Sequence, residues 1–165
     1  MEAVTLSIYN FTNTASAVQS FVDRLCDDYR SALIRDDKKA TGNLVSSITP
    51  LQVEFGGSTL TGAMSLASYW KYVEYGRKPG KWPPQDKILK WIKDKPVKPS
   101  PDKSGRIPTE KQLSFLISRK IGLNGIKPGN QLEESMRLTW SRSRDSISEA
   151  VSKDLDTQIA KITVI

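Results

Sequence analysis

The feature that most constrains the fold is a change of hydrophobic period early in the chain. Over residues 14–37 apolar side chains recur at steps of three and four, which predicts an amphipathic helix. Over residues 51–55 and 60–66 the period falls to two, which predicts two strands. Residues 56–58, Gly-Gly-Ser, favour a hairpin between them, because glycine accepts positive φ freely. We therefore expect an α+β fold, with a long N-terminal helix packed on a small antiparallel sheet.

Further helices are predicted, mainly in the C-terminal half, over residues 69–76, 84–95, 109–121 and 131–156. Gly76 suits the left-handed position that closes the first of them, and Pro84 suits the first turn of the second. Thr109 and Gln112 match a capping box that opens the third. The last two carry apolar residues at Leu113, Leu116, Ile117, Ile121, Leu132, Met136, Trp140, Ile147, Val151 and Leu155. The alternating tail, residues 157–165, is predicted to be a final strand.

The chain has no internal repeat and no clean linker, and its 165 residues suit one domain of ordinary size. We therefore expect a single domain over residues 1–165, with a basic, proline-rich insertion at about residues 76–108. No apolar run is long enough to span a membrane, and the N-terminus lacks the pattern of a secretory signal, so we expect no membrane association.

The residue types that are missing argue against catalysis. The chain has no histidine, which removes the common general base and the usual zinc and iron ligands. Its one cysteine, Cys26, falls on the apolar side of the first predicted helix and is interpreted as a packing residue. No group of Asp and Glu residues has a recognisable catalytic spacing. We expect no enzyme activity, no cofactor and no metal.

Most of the positive charge lies in one part of the chain. Residues 71–103 hold 10 Lys/Arg and 4 Asp/Glu, a net charge of +6 out of +7 for the whole chain. Such a segment attracts nucleic acid or an acidic protein surface, although it could equally be a solvated surface. Lys87 and Lys90, on the predicted helix 84–95, are the candidates for facing DNA.

Residues 72–84, YVEYGRKPGKWPP, combine glycine, proline, cations and aromatics. Glu74 lies among apolar neighbours, where a carboxylate is costly to bury unless it is paired, so it is interpreted as a structural brace for the turn at Gly76 rather than as a catalytic base. Tryptophan and arginine are typical of interface hot spots, whereas tryptophan can also stack on bases. The candidate interface residues are Arg77, Lys78, Lys81, Trp82 and Arg106.

Two motifs resemble a known family. "TGNLVSSI" (41–48) before the strands and "YWKYVEYGRKPGKWPP" (69–84) after them, with "FLISRKIGLNGIKPGN" (115–130) later, are similar to the phage neck and tail-completion family, which includes the minor tail protein Z of lambdoid phages. The likeness covers roughly residues 15–160. The matching positions are Thr41, Gly42, Leu44, Ser47, Ile48, Tyr69, Tyr72, Val73, Glu74, Gly76 and Pro79.

The resemblance implies a structural virion protein rather than an enzyme. Members of that family are small α+β subunits that assemble into rings and join the portal-side connector to the tail. The expected partners are therefore sibling copies, portal or connector proteins and tail proteins, with assembly in the cytoplasm of the bacterial host.

Two other functions remain open from the residues themselves. A small basic protein could bind nucleic acid non-specifically through residues 71–103, since phosphate binding needs only clustered cations. A carboxylate-dependent hydrolase would have to use Glu74 and Glu54, and it is the weaker of the two.

Overall fold

The computed structural model describes residues 11–38, 42–56, 59–95, 97–101 and 103–162. Its helices are α1 (Thr12–Arg35), α2 (Asn43–Ser47), α3 (Trp70–Glu74), α4 (Gln85–Asp94), α5 (Glu110–Asn124) and α6 (Gln131–Ile162). Its strands are β1 (Thr49–Pro50), β2 (Glu54–Gly56), β3 (Thr59–Thr61) and β4 (Met64–Ser65). The predicted α+β class is confirmed, with a long N-terminal helix, small antiparallel pairing and helices after it.

The chain forms two compact units whose sequences carry opposite net charges. Unit 1 comprises Met1–Ala32, Ile48–Leu66 and Leu132–Ile165, and unit 2 comprises Leu33–Ser47 and Ala67–Gln131. Unit 1 holds 7 Lys/Arg and 11 Asp/Glu, a net charge of −4, whereas unit 2 holds 18 and 7, a net charge of +11. The single domain expected from the sequence stays a prediction.

The core of unit 1 is built on the apolar face of α1. Its buried side chains on this helix are Val22, Leu25, Cys26, Tyr29 and Ala32. The predicted packing role of Cys26 is confirmed: its side chain is fully buried, and burial raises the pKa of the thiol, which disfavours the reactive thiolate.

The strands of unit 1 form two short antiparallel ladders. In one, β1 pairs with β4, and in the other, β2 pairs with β3, where Phe55 lies opposite Leu60. The predicted antiparallel pair is thus confirmed but interrupted, and Gly57 and Ser58 of the predicted turn lie outside the described residues.

The side-chain amide of Gln19, on α1, binds the backbone of the segment between β1 and β2. Its Nε2 donates to the Leu51 carbonyl (3.3 Å), and its Oε1 accepts from the Val53 N–H (2.9 Å). Gly62 lies close to the same helix, since a Cβ there would be 2.7 Å from the Val22 side chain. The base of the β2–β3 ribbon is therefore fixed by specific contacts.

One buried carboxylate ties α6 to the start of α1. Asp154 accepts hydrogen bonds at Oδ2 from the Thr14 N–H and hydroxyl, both 2.7 Å, and at Oδ1 from the Asn13 N–H (3.2 Å) and side-chain amide (2.7 Å). Burial raises the pKa of Asp154, but these hydrogen bonds outweigh it, so the pKa lies below the ordinary value.

The buried face of α6 is made of small and polar residues, although the pattern of large apolar residues in its sequence suggests that these would be buried. Ser135, Thr139, Ser143, Ala150 and Asp154 are buried. The large side chains of Met136, Trp140, Leu155 and Ile159 are exposed instead.

The strand predicted at the C-terminal end of this region was wrong for the described residues. Residues 157–162 continue α6 and do not form the final strand, while residues 163–165 lie outside the described part of the chain.

Unit 2 contains α2, α3, α4 and α5. The Lys95 ammonium, at the end of α4, donates to the backbone carbonyl (2.7 Å) and carboxylate (2.6 Å) of Asp37, just after α1 ends. The predicted capping box at the start of α5 is confirmed, because the Thr109 hydroxyl accepts from the Gln112 N–H and the Gln112 side chain accepts from the Thr109 N–H. Ile92 of α4 is buried.

Replacing Asp154 with Asn should destabilise the protein in a pH-dependent way. The folded-state pKa is depressed, so the carboxylate contributes stability above its unfolded pKa of about 3.9, and this contribution is lost as the pH falls through the folded value. In urea unfolding, we expect wild type and Asp154→Asn to differ at neutral pH and to converge in acid. Asp156→Asn, an exposed change on the same helix, is the control. A gap that does not change with pH would contradict this account.

Candidate protein-interaction surface

The loop of residues 76–84 begins at a position that requires glycine. Helix α3 ends at Glu74, and Gly76 has a φ of 67°, which confirms the predicted left-handed closure. A Cβ on Gly76 would lie 2.2 Å from the Ile126 carbonyl oxygen. The chain is thus brought directly against the segment that follows α5.

Reciprocal backbone hydrogen bonds hold the loop in place. The Arg77 N–H donates to the Ile126 carbonyl (2.9 Å), and the Ile126 N–H donates back to the Arg77 carbonyl (2.8 Å). The Gly80 N–H donates to the Gly122 carbonyl at the end of α5 (2.8 Å). Gly125 has a φ of 71°, and a Cβ there would lie 2.2 Å from the Arg77 carbonyl oxygen. The loop is therefore anchored at both ends of its glycine-containing stretch.

Trp82 is seated on a helix face made of small residues. Ser114, Ser118 and Gly122, at intervals of four on α5, are buried. A Cβ on Gly122 would lie 2.2 Å from the indole ring of Trp82, and the Ser118 hydroxyl donates to the Pro83 carbonyl (2.7 Å). The seat fixes the indole, yet Trp82 remains 49% exposed.

Glu74, at the end of α3 just before this loop, is 2% exposed. Its carbonyl accepts from the N–H groups of Gly129 (2.8 Å) and Asn130 (3.2 Å), so its backbone joins α3 to the segment after α5. Its depth agrees with the interpretation as a brace, although the role of its carboxylate stays a prediction. Glu54, its proposed partner in a hydrolase, belongs to unit 1 and is exposed on β2.

The predicted interface cations do not all behave alike. Lys78 and Lys81 are exposed, whereas Arg77 is half-buried and its guanidinium donates to the Lys81 carbonyl (2.8 Å). Arg77 thus helps to shape the loop. Lys87 and Lys90 are exposed on α4. Within the described residues, none of these four lysines forms an ion pair.

A groove of about 1060 Å³ opens in unit 2 beside the Trp82 seat. The Trp82 ring meets Phe115 edge to face, with ring centroids 6.1 Å apart, and Phe115 also lines the groove. Among the described residues, the groove lining contains two cations and no acid, and its members include Arg106, Ile107, Thr109, Lys111, Phe115 and Leu116. Arg106 was predicted from the sequence as an interface residue, and the structure places it at this groove.

Ile107, Phe115 and Leu116 of the groove lining were not named individually from the sequence, although they lie in segments 94–108 and 109–121, which we expected to make contacts. Leu116 is 49% exposed, and Ile107 and Phe115 are exposed as well. The useful signal was the repeat of small residues at Ser114, Ser118 and Gly122. A face that has no large side chain allows the chain to approach closely, and it leaves the larger residues of α5 on other faces.

Neither a metal site nor a membrane-spanning helix is found in the part of the chain that the structure describes. Its residues contain no cluster of three or more acidic or cysteine side chains that could hold a metal ion. None of its helices is both long and apolar enough to cross a membrane.

The fold and this surface define an α+β chain with a hydrogen-bonded, cationic and aromatic face on unit 2. No protein-family model, curated protein or solved structure matches the chain.

Replacing Gly125 with Ala should release the loop. Its backbone conformation is nearly restricted to glycine, which costs about 1–3 kcal/mol for another residue, and the new Cβ would also meet the Arg77 carbonyl. We expect a lower urea midpoint and faster amide exchange at Arg77 and Ile126. Gly105→Ala is the matched control, since Gly105 has a φ of 75° with no atom within 4 Å of the added Cβ. Unchanged exchange at the two bridge amides in Gly125→Ala would disprove the anchoring role.

Proposed function

We propose that the protein is a non-catalytic structural subunit of a phage virion. It forms a ring at the head–tail junction, as a neck, connector or tail-completion component, and joins portal-side proteins to tail proteins. Assembly takes place in the cytoplasm of the bacterial host. The motif resemblance supports the assignment, and the surface on unit 2 supports a role in protein association.

The observation that carries the proposal is the anchored loop with its indole. Binding surfaces lose less conformational entropy when their interacting residues are held in place before the partner arrives. The bridge to Ile126 and the seat on Gly122 hold the loop in this way. Tryptophan and arginine are typical of interface hot spots, and this loop carries both Arg77 and Trp82, whose side chain is 49% exposed.

The charge division of the chain supports head-to-tail association. A ring made from identical copies needs two different surfaces on each copy, which meet around the circle. Unit 1 has a net charge of −4 and unit 2 a net charge of +11, so unlike units of neighbouring copies attract. Like units would repel one another, which disfavours a symmetric two-fold interface through unit 2.

Changes on the exposed loop should weaken assembly without unfolding the chain. We expect Trp82→Ala to reduce binding about tenfold or more, in line with hot-spot tryptophans, and Lys78→Glu with Lys81→Glu to slow association with acidic surfaces. The measurements are light scattering on the purified protein and pull-down with connector and tail proteins of the particle.

The control for these variants is Lys120→Glu, because Lys120 is exposed on α5 away from its buried small-residue face. A wild-type protein that stays monomeric and ignores both connector and tail proteins would refute the proposed function. So would phage that remain infectious without it.

A second candidate function is non-specific DNA binding through the basic segment 71–103. It is favoured by the exposure of Lys78, Lys81, Lys87 and Lys90 and by their lack of ion pairs within the described residues. Cations that are not neutralised by the protein can bind phosphates and release counterions. In a head–tail junction such cations could approach the DNA that passes through it.

Neutralising these four lysines to glutamine separates the two candidates. If the segment binds DNA, affinity for generic duplex should fall steeply with salt, and the slope should become shallower in the variant by about 0.9 for each phosphate that is no longer neutralised. Fluorescence anisotropy with labelled duplex over a salt series measures both quantities. The absence of binding at low salt would eliminate DNA as a partner.

A further inference from the structure

We propose that the β2–β3 ribbon of one copy docks into the groove of unit 2 on a second copy. The ribbon comprises residues 54–56 and 59–61, and the groove is the one lined by Arg106, Ile107, Lys111, Phe115 and Leu116. The inference rests on the proposed ring-forming function and names the two surfaces that meet.

The ribbon exposes apolar side chains that its own pairing leaves uncovered. Phe55 lies opposite Leu60 on one face of the ladder, and Phe55 is 49% exposed. Leu51, just before the ribbon, is exposed as well. A two-stranded ribbon is marginally stable in water without further cover, so the exposed Phe55, with half-buried Leu60 opposite it, favours burial against another surface.

The ribbon is also held ready for a partner. The Gln19 amide bonds to the backbone of Leu51 and Val53 and fixes the strand that leads into β2. These contacts hold the base of the ribbon in place before a partner binds, and this lowers the entropic cost of association.

The charges of the two surfaces are complementary. Glu54, on β2 next to Phe55, is the only charged residue between residues 48 and 66. The groove presents Arg106 and Lys111 and has no acidic residue in its described lining. An acid beside an aromatic on one surface thus matches cations beside apolar side chains on the other, within units whose net charges are −4 and +11.

The size of the groove suits a polypeptide segment. Its volume of about 1060 Å³ lies at or above the upper end of small-molecule pockets, which hold about 300–1,000 Å³. Its apolar residues, Ile107, Phe115 and Leu116, are already exposed and can cover an aromatic side chain. Trp82 borders the groove through Phe115, so the loop and the groove form one continuous binding area.

Because the ribbon and the groove are different surfaces of the same chain, this docking can repeat from copy to copy. Each copy offers its ribbon to one neighbour and its groove to the other, which is the heterologous interface that closes a ring.

The test uses two full-length variants that disable one surface each. Phe55→Asp removes the ribbon's anchor, and Leu116→Asp places a charge in the groove. In sedimentation velocity over a concentration series, we expect each variant alone to self-associate about tenfold or more weakly than wild type, as when a hot spot is removed. An equimolar mixture should form dimers that do not extend further, since one intact ribbon and one intact groove remain. Leu123→Asp, exposed on α5 outside the groove, should associate like wild type.

A charge exchange provides a second readout that does not depend on the apolar variants folding. Glu54→Lys and Lys111→Glu should each weaken association, and the two changes combined in one chain should restore it. Circular dichroism and urea midpoints establish that each variant is folded.

The outcomes separate this inference from the proposed function. If wild type associates and Phe55→Asp, Leu116→Asp and the charge variants still do so normally, the docking inference is wrong while a ring subunit stands. If the variants lose only their binding to connector or tail proteins, the groove serves another partner and the inference is again wrong. If wild type neither associates nor binds those proteins, both the inference and the proposed function fail.

Discussion

The close approach of two backbones in unit 2 is the constraint on which its surface depends. Loop 76–84 reaches the end of α5 only because Gly76, Gly122 and Gly125 carry no side chains at the points of nearest approach. The reciprocal hydrogen bonds between Arg77 and Ile126 then pair backbone groups of the two segments where they meet. Because these contacts hold loop 76–84, its proline and cationic residues form a defined surface.

Both units use small polar side chains where helices usually bury large apolar ones. Ser114 on α5 and Thr139 on α6 are buried, and their hydroxyls donate to carbonyls of the preceding helical turn. This arrangement permits close packing, but it turns large residues such as Leu116 and Trp140 toward the outside. A chain built in this way leaves large apolar side chains exposed, and association could cover them.

Sequence patterns predicted the elements better than they predicted their buried faces. The capping box at Thr109 and the left-handed glycine at residue 76 were predicted correctly, because each depends on local backbone chemistry. The helix α1 was predicted correctly from its hydrophobic period. The strand expected after residue 156 was wrong, since alternation over a few residues competes poorly with the continuation of a long helix. Among site residues, Trp82 and Arg106 were identified by composition, whereas Phe115 required knowledge of which helix face receives the loop.

The seat of Trp82 has a consequence for how this sequence can change over time. The space that the indole fills is the space that a side chain at position 122 would need. The two positions therefore should not drift independently: a lineage that gains bulk in the helix must lose it from the loop, and the reverse. Among descendants of a common ancestor, large and small residues at these two places are expected to exchange in concert, and a chain bearing bulk at both would have had to redirect the loop.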